Sequence, residues 1–99
     1  MSESFPAATR FKRSESVAHR RVEDEVLVIP IRTEAQQGLH VLSLNGTASL
    51  VWDLLDGEHD VGALVAAVCE RFEVDEATAR GDIQALCQEL LDLGAIERP

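Results

Sequence analysis

Tyrosine is missing from this sequence and tryptophan occurs once, so with three phenylalanines the interior must be largely aliphatic, built from Leu, Val and Ala. The two cysteines, Cys69 and Cys87, fall inside helix-patterned stretches without CxxC spacing. That excludes a disulfide scaffold and a thiolate metal site, and suits a reduced, cytoplasmic chain with two buried thiols. No apolar run approaches the length of a membrane span, because Asp and Glu interrupt every hydrophobic segment. The first residues lack the apolar core of a signal peptide, which again points to the cytoplasm. A phosphate-cradling glycine loop and a Ser or Cys nucleophile motif are also missing. His19, His40 and His59 are dispersed over two strand-like stretches and a loop, without the close spacing a metal needs. The acidic residues lie at helix caps and exposed faces. No metal, no cofactor and no enzymatic activity are expected.

Positive charge is scarce and uneven. Residues 1–21 hold five cations against two carboxylates, a net of +3, whereas residues 22–99 hold four against sixteen, a net of −12. A body that acidic repels phosphate backbones. Only Arg32, Arg71, Arg80 and Arg98 remain there to build a basic face, which argues against nucleic acid.

At 99 residues the chain allows one small domain. Residues 1–15 are polar, contain Pro6 and lack periodicity, and read as a flexible basic tail; residues 16–97 read as the single folded domain. Ser16–Glu23 fits a weak strand and Glu23-Asp24 a turn. Glu25–Ile31 (EVLVIPI) is the strongest β signal, with Pro30 at its end or on an open edge. Thr33–Gly38 is a polar loop. Leu39–Leu44 (LHVLSL) is a third strand, with Leu42 and Leu44 on one face and Leu39, Val41 and Ser43 on the other. The first half is therefore expected to be an antiparallel meander.

The second half has helix spacing. One helix runs from about Gly46 to Asp56, with Asn45 as N-cap and Gly57 as its terminal glycine. A second opens on the N-cap Asp60 and stripes Leu64, Val65, Val68 and Phe72. A third, capped by Asp75, runs to about Leu93 before Gly94, with Ala79, Ile83, Leu86, Leu90 and Leu93 at helix spacing, Cys87 and Leu91 alongside, and Ala95-Ile96 as a short extension. Trp52 is expected in the core. Asn45-Gly46, usually a hairpin turn, here joins strand to helix and sets the strand's register. The fold class is α+β, winged-helix-like, with a three-stranded antiparallel sheet followed by a three-helix bundle (βββααα). In a DNA-binding version the last helix would be basic; this one carries Glu76, Asp82, Glu89 and Asp92 against Arg80 alone.

The order "LSLNGTASLVWDLLDG", "DVGALVAAVCERFEVD", "GDIQALCQELLDLGAIE" resembles the PqqD-like family over Ser16–Glu97. The shared marks are Leu44-Asn45, Asp56-Gly57, Phe72 and Asp82-Ile83. The resemblance implies a non-enzymatic peptide chaperone, a recognition element for ribosomally made, modified peptides. Such a protein binds the leader segment of a precursor peptide and presents the core to a modifying enzyme, often a radical SAM enzyme. Pyrroloquinoline quinone biosynthesis is one such pathway among several. It also implies that the leader adds a strand beside the third strand, in a groove against the third helix.

The residues fit that implication. A meander has two edges, and Leu39–Leu44 carries no Pro, Lys or carboxylate to blunt its own. Arg20 and Arg21 suit a protected edge on the first strand. The expected docking edge is Gly38, Leu39, His40, Val41, Leu42 and Ser43. For the opposing wall the choice is Arg80, Gln84, Cys87 and Leu91, at i, i+4, i+7 and i+11 of the third helix. Cys87 and Leu91 read equally as core, and Arg80 reads more readily as a partner of Glu76 than of an acidic leader residue. The long Arg32–Gly38 loop leaves the hairpin geometry open, and the basic tail could bind the acidic body or a partner enzyme. An open edge also invites self-pairing into a homodimer. Two other readings stay open: a scaffold subunit that binds an enzyme without any leader, and a winged-helix transcription regulator.

Overall fold

The computed structural model describes residues 5–15, 17–30 and 41–99. In chain order these form β1 (Arg10–Arg13), β2 (Val17–Val22), β3 (Glu25–Pro30), β4 (Leu42–Asn45), α1 (Thr47–Leu54), β5 (Asp56–Asp60), α2 (Val61–Arg71), α3 (Glu76–Asp92) and β6 (Ile96–Glu97). The expected meander is present as the antiparallel sheet β2-β3-β4. Glu23-Asp24 closes its first hairpin, with Glu23 at φ 58°, and Val22 opposite Glu25. Val26 and Val28 point inward from β3 and Leu44 from β4, as the period-2 pattern requires.

Two helix starts follow the sequence directly. The Asp60 carboxylate accepts the Ala63 N–H at 2.8 Å, and that of Asp75 accepts the Thr78 N–H at 3.3 Å, each satisfying a first-turn donor. Leu64, Val65 and Val68 of α2 and Ala79, Ile83, Cys87 and Leu90 of α3 meet Val51, Trp52 and Leu55 in one core. Gly94, at φ 74°, ends α3.

The strand-to-helix junction differs in detail from expectation. Gly46, not Asn45, is the N-cap of α1, at φ 51°, ψ −118°, and no side chain caps the helix. Asn45 instead remains in β4, opposite Glu25. The buried hydroxyl of Ser49 anchors the junction, donating to the Leu44 carbonyl at 2.9 Å with the Asp24 carbonyl at 3.2 Å. Because a side chain at Gly46 would be forced into a backbone region that L residues avoid, Gly46→Ala is expected to cost about 1–3 kcal/mol, measured by urea denaturation. An unchanged midpoint would mean that the turn relaxes without strain.

The flexible-tail expectation is corrected for residues 5–15. The strand β1 lies between β5 and β6 in a second three-stranded sheet, order β5-β1-β6. Phe11 is 1% exposed and stacks edge-to-face on Phe5, their ring centroids 5.1 Å apart. The carbonyls of Ala7 and Thr9 accept the N–H groups of Gly62 (2.9 Å) and Val61 (2.8 Å), two donors otherwise orphaned at the start of α2. Charge guides the pairing: Arg10 lies opposite Asp60, and Lys12 opposite Asp56 and Glu97. Lys12 Nζ is 3.6 Å from Glu97 Oε2. The basic segment therefore serves the acidic body. β5 also replaces the loop expected around Glu58-His59, and α1 ends at Leu54, before Gly57.

Candidate functional site

β4 pairs with β3 on one side, Val28 facing Leu42 and Val26 facing Leu44. Among the described residues nothing pairs with its other side. Unpaired N–H and C=O groups on such an edge can receive another strand. Leu42 is half-buried under the edge, Ser43 is exposed, and Val41 is 51% exposed just before the strand. Gly38, Leu39 and His40 lie outside the described residues.

α3 runs across from this edge, and two clefts of about 270 Å³ each lie along it, one between α3 and the head of β4, the other between α3 and the start of α1. One is lined by Val41, Leu42, Glu89, Asp92 and Leu93. The other is lined by Gly46, Thr47, Ala48, Asp82, Ile83 and Leu86. On the α3 side they are lined by Asp82, Ile83, Leu86, Glu89, Asp92 and Leu93, of which Asp82, Leu86, Glu89 and Leu93 stand at i, i+4, i+7 and i+11. The start of α3 faces the Gly46 end and its C-terminus the Val41 end, so β4 and α3 run in opposite directions. Apolar surface at the base and carboxylates along one wall give a track suited to an extended peptide.

The wall expected from sequence lies elsewhere. Arg80 is exposed and ion-paired with Glu76. Gln84 is engaged by the N-terminal segment, its Oε1 accepting the Phe5 N–H at 2.6 Å and its Nε2 donating to the Phe5 carbonyl at 2.9 Å. Arg80 and Gln84 line a different, larger cleft of about 1200 Å³ beside Phe5, Pro6 and Ala7. Cys87 has no exposed surface and belongs to the core, which corrects its place in a groove. Leu91 is half-buried against that core. The reason is helical phase. A two-residue offset turns a side chain by about 200°, to the opposite flank. Leu86, Cys87, Leu90, Leu91 and Leu93 make α3 apolar over a wide arc, so periodicity alone does not say which flank meets the sheet. The partner that settles it, Phe5, sits in a segment without helix or strand periodicity.

Burial pushes the Cys87 thiol up to about 11, while Cys69 is only partly buried. A thiol reagent at neutral pH is therefore expected to modify Cys69 in the native protein and Cys87 only after unfolding. Two equally fast native thiols would contradict the packing. Trp52 is 1% exposed, in the core as expected. Arg13 donates to the Trp52 carbonyl at 2.6 Å and lies 5.9 Å from the indole centroid, covering the C-terminal end of α1. Arg21 meets both oxygens of Asp53, at 2.7 and 2.8 Å. Arg13 thus braces β1, and Arg21 β2, against α1.

His59 forms a local cluster with Asp56. The Asp56 carboxylate accepts N–H groups from Glu58 at 2.9 Å and His59 at 3.2 Å, and lies 3.0 Å from the His59 ring Nδ1. The His59 side chain, then these N–H groups, hold the Asp56 carboxyl down at about 2. A depressed carboxyl favours the folded state above its unfolded pKa of 3.8 and loses that contribution as pH falls toward 2. NMR titration of the Asp56 carboxyl should show this low midpoint, and His59→Ala should move it toward 3.8. A midpoint unmoved by that change would contradict the contact. Among the described residues no group of three His, Cys, Asp or Glu could hold a metal ion, and no helix is long and apolar enough to cross a membrane.

A three-strand meander whose β4 edge lies beside a long helix defines a small α+β domain. The chain belongs to the PqqD family: residues 25–96 match the family of coenzyme PQQ synthesis protein D. That match begins at β3, so β1 and β2 lie outside it. The fold is also that of a solved structure titled "TbiB1 in Complex with the TbiA(beta) Leader Peptide", at 24% identity and a TM-score of 0.73, covering 87% of this chain and 94% of that one. No curated protein matches the sequence.

Proposed function

We propose that this chain binds the leader segment of a ribosomally made precursor peptide and presents it to a peptide-modifying enzyme, without catalysing the modification itself. The observation that carries this reading is the unpaired β4 edge with an apolar cleft between it and α3, and a second cleft between α3 and the start of α1. The leader adds a strand beside β4, its backbone bonding to the edge, while alternate side chains enter the clefts. Membership of the PqqD family and likeness to a structure holding a leader peptide support it. Residues 41–43 at the edge and Asp82, Leu86, Glu89 and Leu93 on the helix are the proposed contacts. Gly38, Leu39 and His40 precede these residues in sequence and are proposed contacts as well. The partner enzyme is proposed to be of the radical SAM class, and the setting cytoplasmic.

Calorimetric titration with synthetic leader peptides, taken from short precursors encoded beside this gene, tests the reading. Saturable binding of at least one leader, but not of its scrambled sequence, is expected. Failure of every leader, alongside binding of the neighbouring enzyme alone, would replace the chaperone with a scaffold.

A further inference from the structure

The C-terminal end of α3 carries charge of the wrong sign for its own helix. The backbone dipole makes that end negative, so Lys or Arg is favoured there and carboxylates are not. Yet the last turn of α3 has no basic residue, and Glu89 and Asp92 stand in its final four positions. Neither forms an ion pair with a cation among the described residues. Asp92 accepts one neutral hydrogen bond, from Gln88 Nε2 at 3.0 Å. Both carboxylates are exposed, on the crest where the cleft at Val41 meets the larger cleft beside Phe5. At Leu86 and Ile83 the second cleft repeats the pattern, with the exposed Asp82 beside an apolar base. No cation among the described residues pairs with these charges, and at the helix end they work against the fold.

Resting on the leader-binding reading, we propose that the groove selects a basic leader: an extended segment with an apolar anchor and, on the same face, a Lys or Arg two residues away. The anchor seats on Val41, Leu42 and Leu93, and the cation reaches the carboxylates of Glu89 and Asp92. Same-face residues of a strand are about 6.7 Å apart, so i and i+2 are the pair that can turn together toward α3. Asp82 and Glu89 are seven residues apart, roughly 10 Å along the helix axis. A second anchor therefore falls two to four residues further along the leader.

The probes are the synthetic leaders of the preceding test, each remade with Lys, Gln or Glu two residues from its apolar anchor. Dissociation constants are measured at low and high salt. The Lys peptide is expected to bind at least about fivefold more tightly than the Glu peptide at low salt, and the gap to shrink as salt rises. In the double variant Glu89→Gln, Asp92→Asn the gap should fall below about twofold while apolar affinity persists. The variant's thermal midpoint should be unchanged or raised, since unfavourable charges leave the helix end. Equal binding of the Lys and Glu peptides to the unaltered protein would overturn the charge preference and leave leader binding intact. Loss of binding by all three forms of every leader would overturn both. A lowered midpoint would assign the carboxylates to the fold instead.

Discussion

Phe11→Ala is expected to lower folding stability by about 3–5 kcal/mol, the usual cost of removing a buried ring and leaving a cavity. The ring is 1% exposed, packs against Phe5 and has the Arg98 guanidinium 5.8 Å from its centroid. Such losses are large against the roughly 5–15 kcal/mol that holds a domain together. For a chain of this size they correspond to a fall of about 15–30 °C in Tm. Thermal and urea denaturation followed by circular dichroism measure it. The damage should spread, because β1 holds β5 and β6 and its approach satisfies the start of α2. A loss under about 1 kcal/mol would restore the N-terminal segment to the status of a tail.

Val41→Glu should have the largest effect on binding. Val41 is half exposed at the head of β4, on the cleft it shares with Glu89 and Asp92. A carboxylate there removes an apolar seat and adds a third like charge, so a bound leader should weaken by at least about tenfold, or roughly 1.4 kcal/mol. Stability should barely change, since the side chain is already in water. Calorimetry paired with a melting curve separates the two. Unchanged affinity would move the leader away from this cleft, and a collapsed fold would mean that Val41 is structural.

The meander and the helices were legible because each advertises itself locally. EVLVIPI alternates strongly, Asp60 and Asp75 are N-caps in plain view, and Leu64, Val65 and Val68 keep helix spacing. The second sheet was not legible. RFKR is four residues long with one inward side chain, and DGEHD contains glycine and no β-branched residue. Their pairing joins segments more than forty residues apart, and what it uses is opposite charge, which local periodicity does not register. The strand half of the candidate site was readable as an unblunted edge at Val41, Leu42 and Ser43. On the helical side, Arg80 and Gln84 line the cleft beside Phe5 and not the one at Val41, a difference the sequence does not show because α3 is apolar over too wide an arc to reveal its phase. Gln84 is engaged by Phe5, a residue in a stretch whose sequence carries no helix or strand periodicity.

The most direct test of the β4–α3 groove is a two-dimensional NMR titration of the labelled protein with a leader peptide. Saturable shifts confined to residues 41–46 and to the flank of Asp82, Leu86, Glu89 and Leu93, with Arg80 and Gln84 quiet, are the expected result. Shifts centred on Arg80, Gln84 and Phe5 instead would place the peptide in the larger cleft and contradict the account.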